Sequence, residues 1–402
     1  MASEKWHKKC AKRGMNVFVG CVTIWTFLLS IFLIGTNTRE DAENNVLTRT
    51  TPRLPSLTQM SEFAFGNSIG NANKHSIASA AHYQQTILSF AHITQNPDNY
   101  RFKVEGGQDV LVFLHIQKTA GTSFERFLVR HLNVTHQCKC VFGEKRKMKC
   151  QCRRPIGRIW LFSRYSTGWA CNLHADFTEL IVSGCVNNKL DVREGKRHKR
   201  RLFLTTFLRD PIDRFVSEYT HVSERGATWA RALHFCGGRL PTPEELPMCF
   251  DPDVGWGGVS LDEFLACPYN LAFNRQTRML SDLSLVNCYN SSAMDAIVRD
   301  RIILESAKFN LRQFAFFGLK ERMAESQLLF EKTLGLTFDS DLSLWNKSKS
   351  AHVIPTRRQL DLIRQKNALD LALYDFARDI FELRLSQIGR RVLLLNLHLA
   401  FL

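Results

Sequence analysis

Apolar positions along this chain form two kinds of pattern. Residues 110–115 (Val-Leu-Val-Phe-Leu-His), 202–208 (Leu-Phe-Leu-Thr-Thr-Phe-Leu) and 314–318 (Phe-Ala-Phe-Phe-Gly) are apolar almost without interruption. Continuous runs of this length predict strands buried on both faces, as in parallel sheets. Residues 158–162 (Arg-Ile-Trp-Leu-Phe) are a fourth candidate. Elsewhere the pattern is helical, with helices expected to start near Thr122, Ala175, Pro211, Leu261 and Lys320. Pro211 suits a first helical turn, where its missing N–H would have no partner. Helical spacing over residues 359–385 closes the domain. Strands alternating with helices predict an α/β fold, a parallel sheet with helices on both faces and ligands at the carboxyl ends of its strands.

The N-terminal pattern is different. No charge occurs over residues 14–38, and the mostly apolar stretch 15–34 is long enough as a helix to cross a bilayer of ~30 Å. Lys5, Lys8, Lys9, Lys12 and Arg13 precede it, and Glu40, Asp41 and Glu43 follow. That asymmetry keeps the short N-terminus cytosolic and sends the rest into the lumen. A cleaved signal peptide fits less well, because its apolar core is usually ~7–15 residues long and a small-residue cleavage site follows it. The expected organisation is a cytosolic N-terminus (1–14), a transmembrane signal anchor (15–35), a flexible stem (36–100), a lumenal globular domain (101–389) and a tail without an assigned role (390–402). The stem is rich in Ser, Thr, Asn and Ala, and within it residues 76–93 are a candidate helix.

Charge and cysteines narrow the partner. Lys and Arg number 54 against 38 Asp and Glu, a net charge of +16. Such an excess favours nucleic acid, anionic lipid or acidic polysaccharide. Of twelve cysteines, ten lie beyond the anchor: Cys138, Cys140, Cys150, Cys152, Cys171, Cys185, Cys236, Cys249, Cys267 and Cys288. An even number in a lumenal domain predicts disulfides. The alternative, zinc at Cys138, Cys140, Cys150 and Cys152, has one residue between paired ligands where two to four is usual. Glycosylation sequons begin at Asn133, Asn290 and Asn346. A lumenal domain of this kind has no use for nucleic acid, and a polysaccharide is the expected polyanion.

Two local constellations carry chemistry. After the first apolar run comes Ile116-Gln-Lys-Thr-Ala-Gly-Thr-Ser123 and then a helical pattern. A small-residue turn opening a helix aims free amides at one point and attracts phosphate. Lys118 adds a cation, and Thr119, Thr122 and Ser123 add hydroxyl donors. The order differs from an ordinary P-loop, since lysine precedes the glycine. After the second run comes Leu208-Arg-Asp-Pro-Ile-Asp-Arg-Phe-Val-Ser217. Arg209 leaves the strand and Ser217 follows two helical turns later, a pair suited to a second phosphate. Arg209 paired with an aspartate and Ser217 as a plain surface hydroxyl is the competing reading of that piece alone.

Together these pieces resemble the 5′-phosphosulfate loop and 3′-phosphate motif of sulfotransferases that use 3′-phosphoadenosine-5′-phosphosulfate (PAPS). Longer segments resemble one family, the heparan sulfate 6-O-sulfotransferases: Ser166-Thr-Gly-Trp-Ala-Cys-Asn-Leu-His-Ala-Asp176, Arg225-Gly-Ala-Thr-Trp229, Pro241-Thr-Pro-Glu-Glu-Leu-Pro247, Cys267-Pro-Tyr-Asn-Leu-Ala272 and Arg278-Met-Leu-Ser-Asp-Leu-Ser-Leu-Val286. The resemblance covers roughly residues 100–385. It implies a P-loop-like sulfotransferase fold, PAPS as donor, the 6-O position of glucosamine in heparan sulfate as acceptor, and residence in the Golgi membrane as a single-pass type II protein. It gives the 5′-phosphosulfate to Lys118, Thr119, Ala120, Gly121, Thr122 and Ser123, and the 3′-phosphate to Arg209 and Ser217, with Ser348 and Lys349 closing over the nucleotide. Ala120 stands where the family pattern has glycine, so the loop must either keep a negative φ there or carry backbone strain.

Sulfuryl transfer needs a base for the sugar hydroxyl and cations for the leaving oxygen. Lys118 suits the second task. Among His115, His174 and His221, the resemblance makes His174 the base, at the opening of an expected helix. Histidine, with an ordinary pKa of ~6.5, is largely neutral near lumenal pH. His115 is equally readable as a hydrogen-bonded core residue. Candidate acceptor contacts are Trp169, Trp229, His221 and Arg164. Two basic stretches are candidates to steer the polyanion: Lys145, Arg146, Lys147, Lys149, Arg153 and Arg154, then Arg193, Lys196, Arg197, Lys199, Arg200 and Arg201. Lysine, arginine and amides supply the positive charge, so no metal is required. Competing functions are sulfation at another position or on another glycosaminoglycan (2-O, or chondroitin) and a non-catalytic lumenal polyanion-binding protein. A nucleotide kinase is excluded by the altered loop and the lack of metal-holding carboxylates.

Overall fold

Four parallel strands organise the structure, a computed structural model that describes residues 87–400 apart from residues 106, 144–147, 196, 198, 225–233, 252 and 346–352. The expected cytosolic segment, the anchor and most of the stem lie outside the described residues. Of the helix expected over 76–93, the described part is α1 (Phe90–Gln95), capped by Ser89.

The chain then runs through β1 (Asp109–Phe113), α2 (Gly121–His131), β2 (Leu132–Asn133), β3 (Lys139–Phe142), β4 (Met148–Gln151) and β5 (Leu161–Phe162). Next come α3 (Cys185–Glu194), β6 (Arg201–Leu208), α4 (Pro211–Ser223), α5 (Leu261–Ala266) and α6 (Arg275–Leu280). The last elements are α7 (Ala296–Gln313), β7 (Phe316–Leu319), α8 (Met323–Leu334), β8 (Thr337–Phe338), α9 (Arg357–Lys366) and α10 (Ala368–Ala400). The sheet order is β5-β1-β6-β7, all parallel, with Val110 opposite Leu202, Thr205 opposite Phe316 and Leu111 opposite Leu161.

Each apolar run has become a strand, with the boundaries moved. β1 stops at Phe113, so Leu114 and His115 open the following loop. Only the last two residues of 158–162 pair with β1, because Trp160 N–H donates to Cys152 and Ile159 bridges Arg153. The central strands are buried on both faces, and the polar residues within them are satisfied internally: Thr205 and Thr206 hydroxyls donate to the carbonyls of Val112 in β1 and Leu114 just after it, at 3.1 and 2.8 Å. Below the sheet, Phe124, Phe207, Phe316, Phe330 and Phe338 pack ring against ring at 4.7–6.5 Å. Burying one such ring contributes roughly 1.5–3 kcal/mol. Gly318 is required here, since a Cβ would overlap the Phe207 ring.

Helix starts at Pro211 and Leu261 agree with expectation, and α2 begins one residue before Thr122. The helix expected near Ala175 is instead a turn, then a single π-helical turn at Thr178–Val182, then α3. Positive φ at Asn172 and His174 is incompatible with a helix there. Near Lys320 a short 3₁₀ turn precedes α8. The pattern over 359–385 is two helices broken at Asn367, and α10 continues through the proposed tail as far as Ala400. Among the described residues no helix is long and apolar enough to cross a membrane.

Two reciprocal contacts tie α6 to α10. Asn274 caps α10 by accepting from the Leu369 and Asp370 amides at 3.0 and 3.2 Å. Asp370 returns the favour to α6, accepting from the Gln276 and Thr277 amides at 3.2 and 2.8 Å. Each helix thus satisfies the other's orphan first-turn donors. All ten cysteines beyond residue 86 are paired: Cys138–Cys152, Cys140–Cys150, Cys171–Cys185, Cys236–Cys288 and Cys249–Cys267. The first two staple the β3–β4 hairpin, so the zinc alternative at those four sulfurs is overturned.

Candidate active site

The four strands end on one edge of the sheet, and each delivers a candidate residue there. From β1 the chain turns through residues 114–120 into α2. Lys118 and Ala120 have φ of 67° and 73°, both left-handed. Of the two alternatives at Ala120, the strained one is found: the curl that turns the amides inward takes the left-handed conformation even without glycine, at a cost of ~1–2 kcal/mol. Gly121 is needed for a different reason. A Cβ there would lie 3.1 Å from the Phe113 ring and 3.3 Å from His115. Of the three hydroxyls expected to be donors, that of Thr119 is buried and donates to the Ile116 carbonyl at 3.1 Å. Thr122 Oγ1 accepts from Arg164 at 2.9 Å, and Thr122 and Ser123 are half-buried at the start of α2.

From β6 comes Arg209. Its guanidinium donates to the Lys118 carbonyl at 3.3 Å and lies 3.6 Å from Asp213. The Arg209–Asp213 contact was the bland reading of this motif, and it is present. The Lys118 contact nonetheless joins the two expected anion cradles directly. Ser217 is buried in α4, and His221 is half-buried one turn further on. Asp210 caps α4, accepting from Ile212 and Asp213 amides at 3.0 Å each. From β7 comes Lys320, whose ammonium is pulled below its ordinary pKa by burial and by the charge of Arg209.

Beyond β5 lies a platform of rings. Trp169 packs on His174 with centroids 4.6 Å apart, and both touch His115, at 5.4 and 5.3 Å. The Arg164 guanidinium lies 5.0 Å over Trp169. His174 is buried, has a φ of 58°, and is enclosed by the Cys171–Cys185 disulfide. Burial holds its pKa well below the ordinary value, and the charges of His115, Arg275 and Arg164 act in the same direction. The imidazole is thus kept neutral and able to accept a proton. Among the described residues, four of the seven non-glycine positions with positive φ (Lys118, Ala120, Asn172, His174) lie in this region. Such concentration of backbone strain is characteristic of functional sites.

His115 is a core residue. Its Nδ1 donates to Glu125, whose other carboxylate oxygen accepts the Arg164 amide at 3.0 Å. Glu125 is fully buried and ties the loop after β1, α2 and the segment after β5 together. Sequence reading passed over it, although a glutamate on the apolar face of a helix, between Phe124 and Phe127, was a visible signal. It also passed over Gln276 and Lys320.

Several expected contacts have other roles or cannot be placed. Arg154 is buried and donates to the carbonyls of Val104, Asp109 and Ile159. Arg200 pairs with Asp191 and Glu194, Arg201 with Asp109, and Arg193 donates to Thr167. Arg154 and Arg200 are buried and hold the fold, a correction to their place in the two basic stretches, while Arg193 is exposed and Arg201 half-buried beside these contacts. Lys149, Arg153, Arg197 and Lys199 are exposed. Trp229, Ser348, Lys349, Lys145, Arg146, Lys147 and Lys196 lie outside the described residues.

The family model described as the sulfotransferase family matches residues 100–377. Heparan-sulfate 6-O-sulfotransferase 2 of Gallus gallus is 51% identical over 278 residues, which are 68% of this chain and 67% of that protein. Heparan-sulfate 6-O-sulfotransferase 1 of Mus musculus and of Homo sapiens are each 50% identical over 287 residues, covering 71% of this chain and 68% of theirs.

Proposed function

The chain belongs to the sulfotransferase family, and from that premise we infer that it transfers a sulfuryl group from PAPS to the 6-O position of glucosamine residues in heparan sulfate, as the names of its relatives at about 50% identity say of them. The observation that carries the mechanism is the convergence of three parts on one sheet edge: a lysine-bearing amide nest, an arginine linked to it, and a buried neutral histidine.

PAPS supplies an activated sulfuryl group. Residues 118–123 would hold its phosphosulfate end, Arg209 and Ser217 its 3′-phosphate. The fit rests on chemistry: first-turn amides of α2 and the Lys118 ammonium favour anionic oxygens, and Arg209 lies within reach of the same loop. When the sugar oxygen forms its bond to sulfur, its proton passes to the His174 imidazole. As the bond from sulfur to the nucleotide phosphate breaks, Lys118 and the α2 amides stabilise charge on the departing oxygen. Trp169 offers an aromatic face for a sugar ring and Arg164 a cation for its anionic groups.

The lumenal, type II Golgi membrane location is part of the same reading. Five disulfides suit an oxidising compartment, and the apolar stretch at 15–34 with its basic N-terminal flank suits an anchor. Asn133 is exposed at its sequon and suits a glycan acceptor.

Purified protein given labelled PAPS and selectively desulfated heparins should place label at 6-O, read by disaccharide analysis. Label at 2-O would overturn the acceptor, and no label would favour a binding protein.

A further inference from the structure

We propose that Gln276 is a positioning residue for the 3′-phosphate end of the donor, acting through the backbone of Arg209. The inference rests on the reading that Arg209 binds this phosphate. Gln276 is fully buried in the first turn of α6. Its side-chain oxygen accepts the Arg209 amide at 2.9 Å, and its side-chain nitrogen donates to the Arg209 carbonyl at 2.9 Å. A primary amide that meets both polar groups of one residue does what a neighbouring strand would do.

The need for it lies in the local chain. The β6–β7 ladder ends at Leu208 opposite Leu319. Arg209 is therefore the first residue beyond the sheet, and two residues later Pro211 starts α4. With its ladder gone, Arg209 would carry a part-buried amide and carbonyl without strand partners, a loss of roughly 1–3 kcal/mol for each unsatisfied group. Gln276 extends the ladder by one residue from a helix. It thereby sets the direction in which the Arg209 side chain leaves the backbone, toward Lys118.

Gln276 is itself held firmly. Its amide donates to Asp370 at 3.2 Å, and the amide and hydroxyl of Thr277 both donate to Asp370 at 2.8 Å. Asp370 lies 3.8 Å from Arg214 of α4, the helix that also carries Ser217. The residue before Gln276, Arg275, is bound to Glu218 of the same helix. The C-terminal helix, α6 and α4 therefore brace the strand exit as one unit. A long, flexible arginine needs such a fixed root if its guanidinium is to sit ready for an anion, because binding then loses less conformational freedom.

The test compares 3′-phosphoadenosine-5′-phosphate with 5′-AMP, which lacks the 3′-phosphate. Dissociation constants are measured by calorimetry for the wild type, for Gln276→Met, which keeps the shape and removes both hydrogen bonds, and for Gln276→Glu, which keeps the acceptor but sets a carboxylate oxygen against the Arg209 carbonyl. The variants should bind the bisphosphate roughly tenfold more weakly, about one charge-assisted hydrogen bond, while 5′-AMP binding stays unchanged. The preference for the bisphosphate shrinks accordingly. In an Arg209→Ala background the Gln276 substitution should cost nothing further. A folded variant that retains the full preference overturns the proposal, as does equal weakening toward both nucleotides, the mark of a general structural role. A wild type that binds both nucleotides equally well would remove the reading of Arg209 itself, and this proposal with it.

Discussion

Replacing Ala120 by glycine should stabilise the protein, in line with the preference for glycine over alanine at a helix N-cap. Ala120 has φ 73° and ψ 7°, in the left-handed region, and is the residue before the first turn of α2. An L-residue with a Cβ loses ~1–2 kcal/mol in this conformation relative to its preferred basins. Glycine removes that strain but gives the unfolded chain more freedom, which costs ~0.4–1 kcal/mol. The half-exposed Ala120 methyl contributes little packing. The net gain is therefore about 0.5–1 kcal/mol, a rise of about 2 °C in the melting transition for a domain of this size. Gly168 supplies the mirror experiment. Its φ is 65° and a Cβ there would meet nothing within 4 Å. Gly168→Ala adds the strain without a clash and should lower the transition by a similar amount. Differential scanning calorimetry on both variants, with and without 3′-phosphoadenosine-5′-phosphate, checks the pair. The nucleotide-induced increment should be the same for wild type and Ala120→Gly, because glycine keeps the amides where they are. A lower transition for Ala120→Gly would mean that the loop has negative φ at this position, and the account of the amide nest would fall.

Other expectations concern the histidine platform. His174→Ala should cut turnover by ~10²–10⁴-fold, the usual worth of a general base, while calorimetric affinity for 3′-phosphoadenosine-5′-phosphate stays intact. Because burial depresses the His174 pKa, its neutral form persists as pH falls, so kcat should show no loss around pH 6.5 on the acid side. Asp176 and Glu179 act on stability in the opposite sense. Burial, the first cause for each, raises them from 3.8 to about 7 and from 4.5 to about 8. Folded protein keeps protons that the unfolded chain has lost, so this stability is present below pH 4 and is lost as pH rises through 7 to 8. Urea titrations should show the midpoint falling over that window, and Asp176→Asn should flatten the slope. Cys171→Ser with Cys185→Ser opens a loop of sequence separation 14. The model of chain entropy puts that loss at about 3 kcal/mol, and kcat should fall with it because the bridge encloses His174.

What could be read from the sequence was what depends on neighbours in the chain. Unbroken apolar runs had to be buried strands, a small-residue turn before a helix had to gather amides, and Pro211 had to begin a helix, since each follows from the chemistry of a few consecutive residues. Lys118 and Arg209 stood out for the same reason, whereas His174 was singled out among three histidines by its family segment alone. Their meeting at one edge was implied only in general terms, by the rule that parallel strands end together. The tertiary structure decided everything that requires two distant segments to find each other. The cysteine pairing, the burial of Arg154 and Arg200, and the grip of Gln276 on Arg209 across 67 positions of sequence are of this kind. So is the left-handed turn at Ala120. Its local preference is for negative φ, and the surrounding strand, helix and ring contacts outweigh a penalty of about 1–2 kcal/mol.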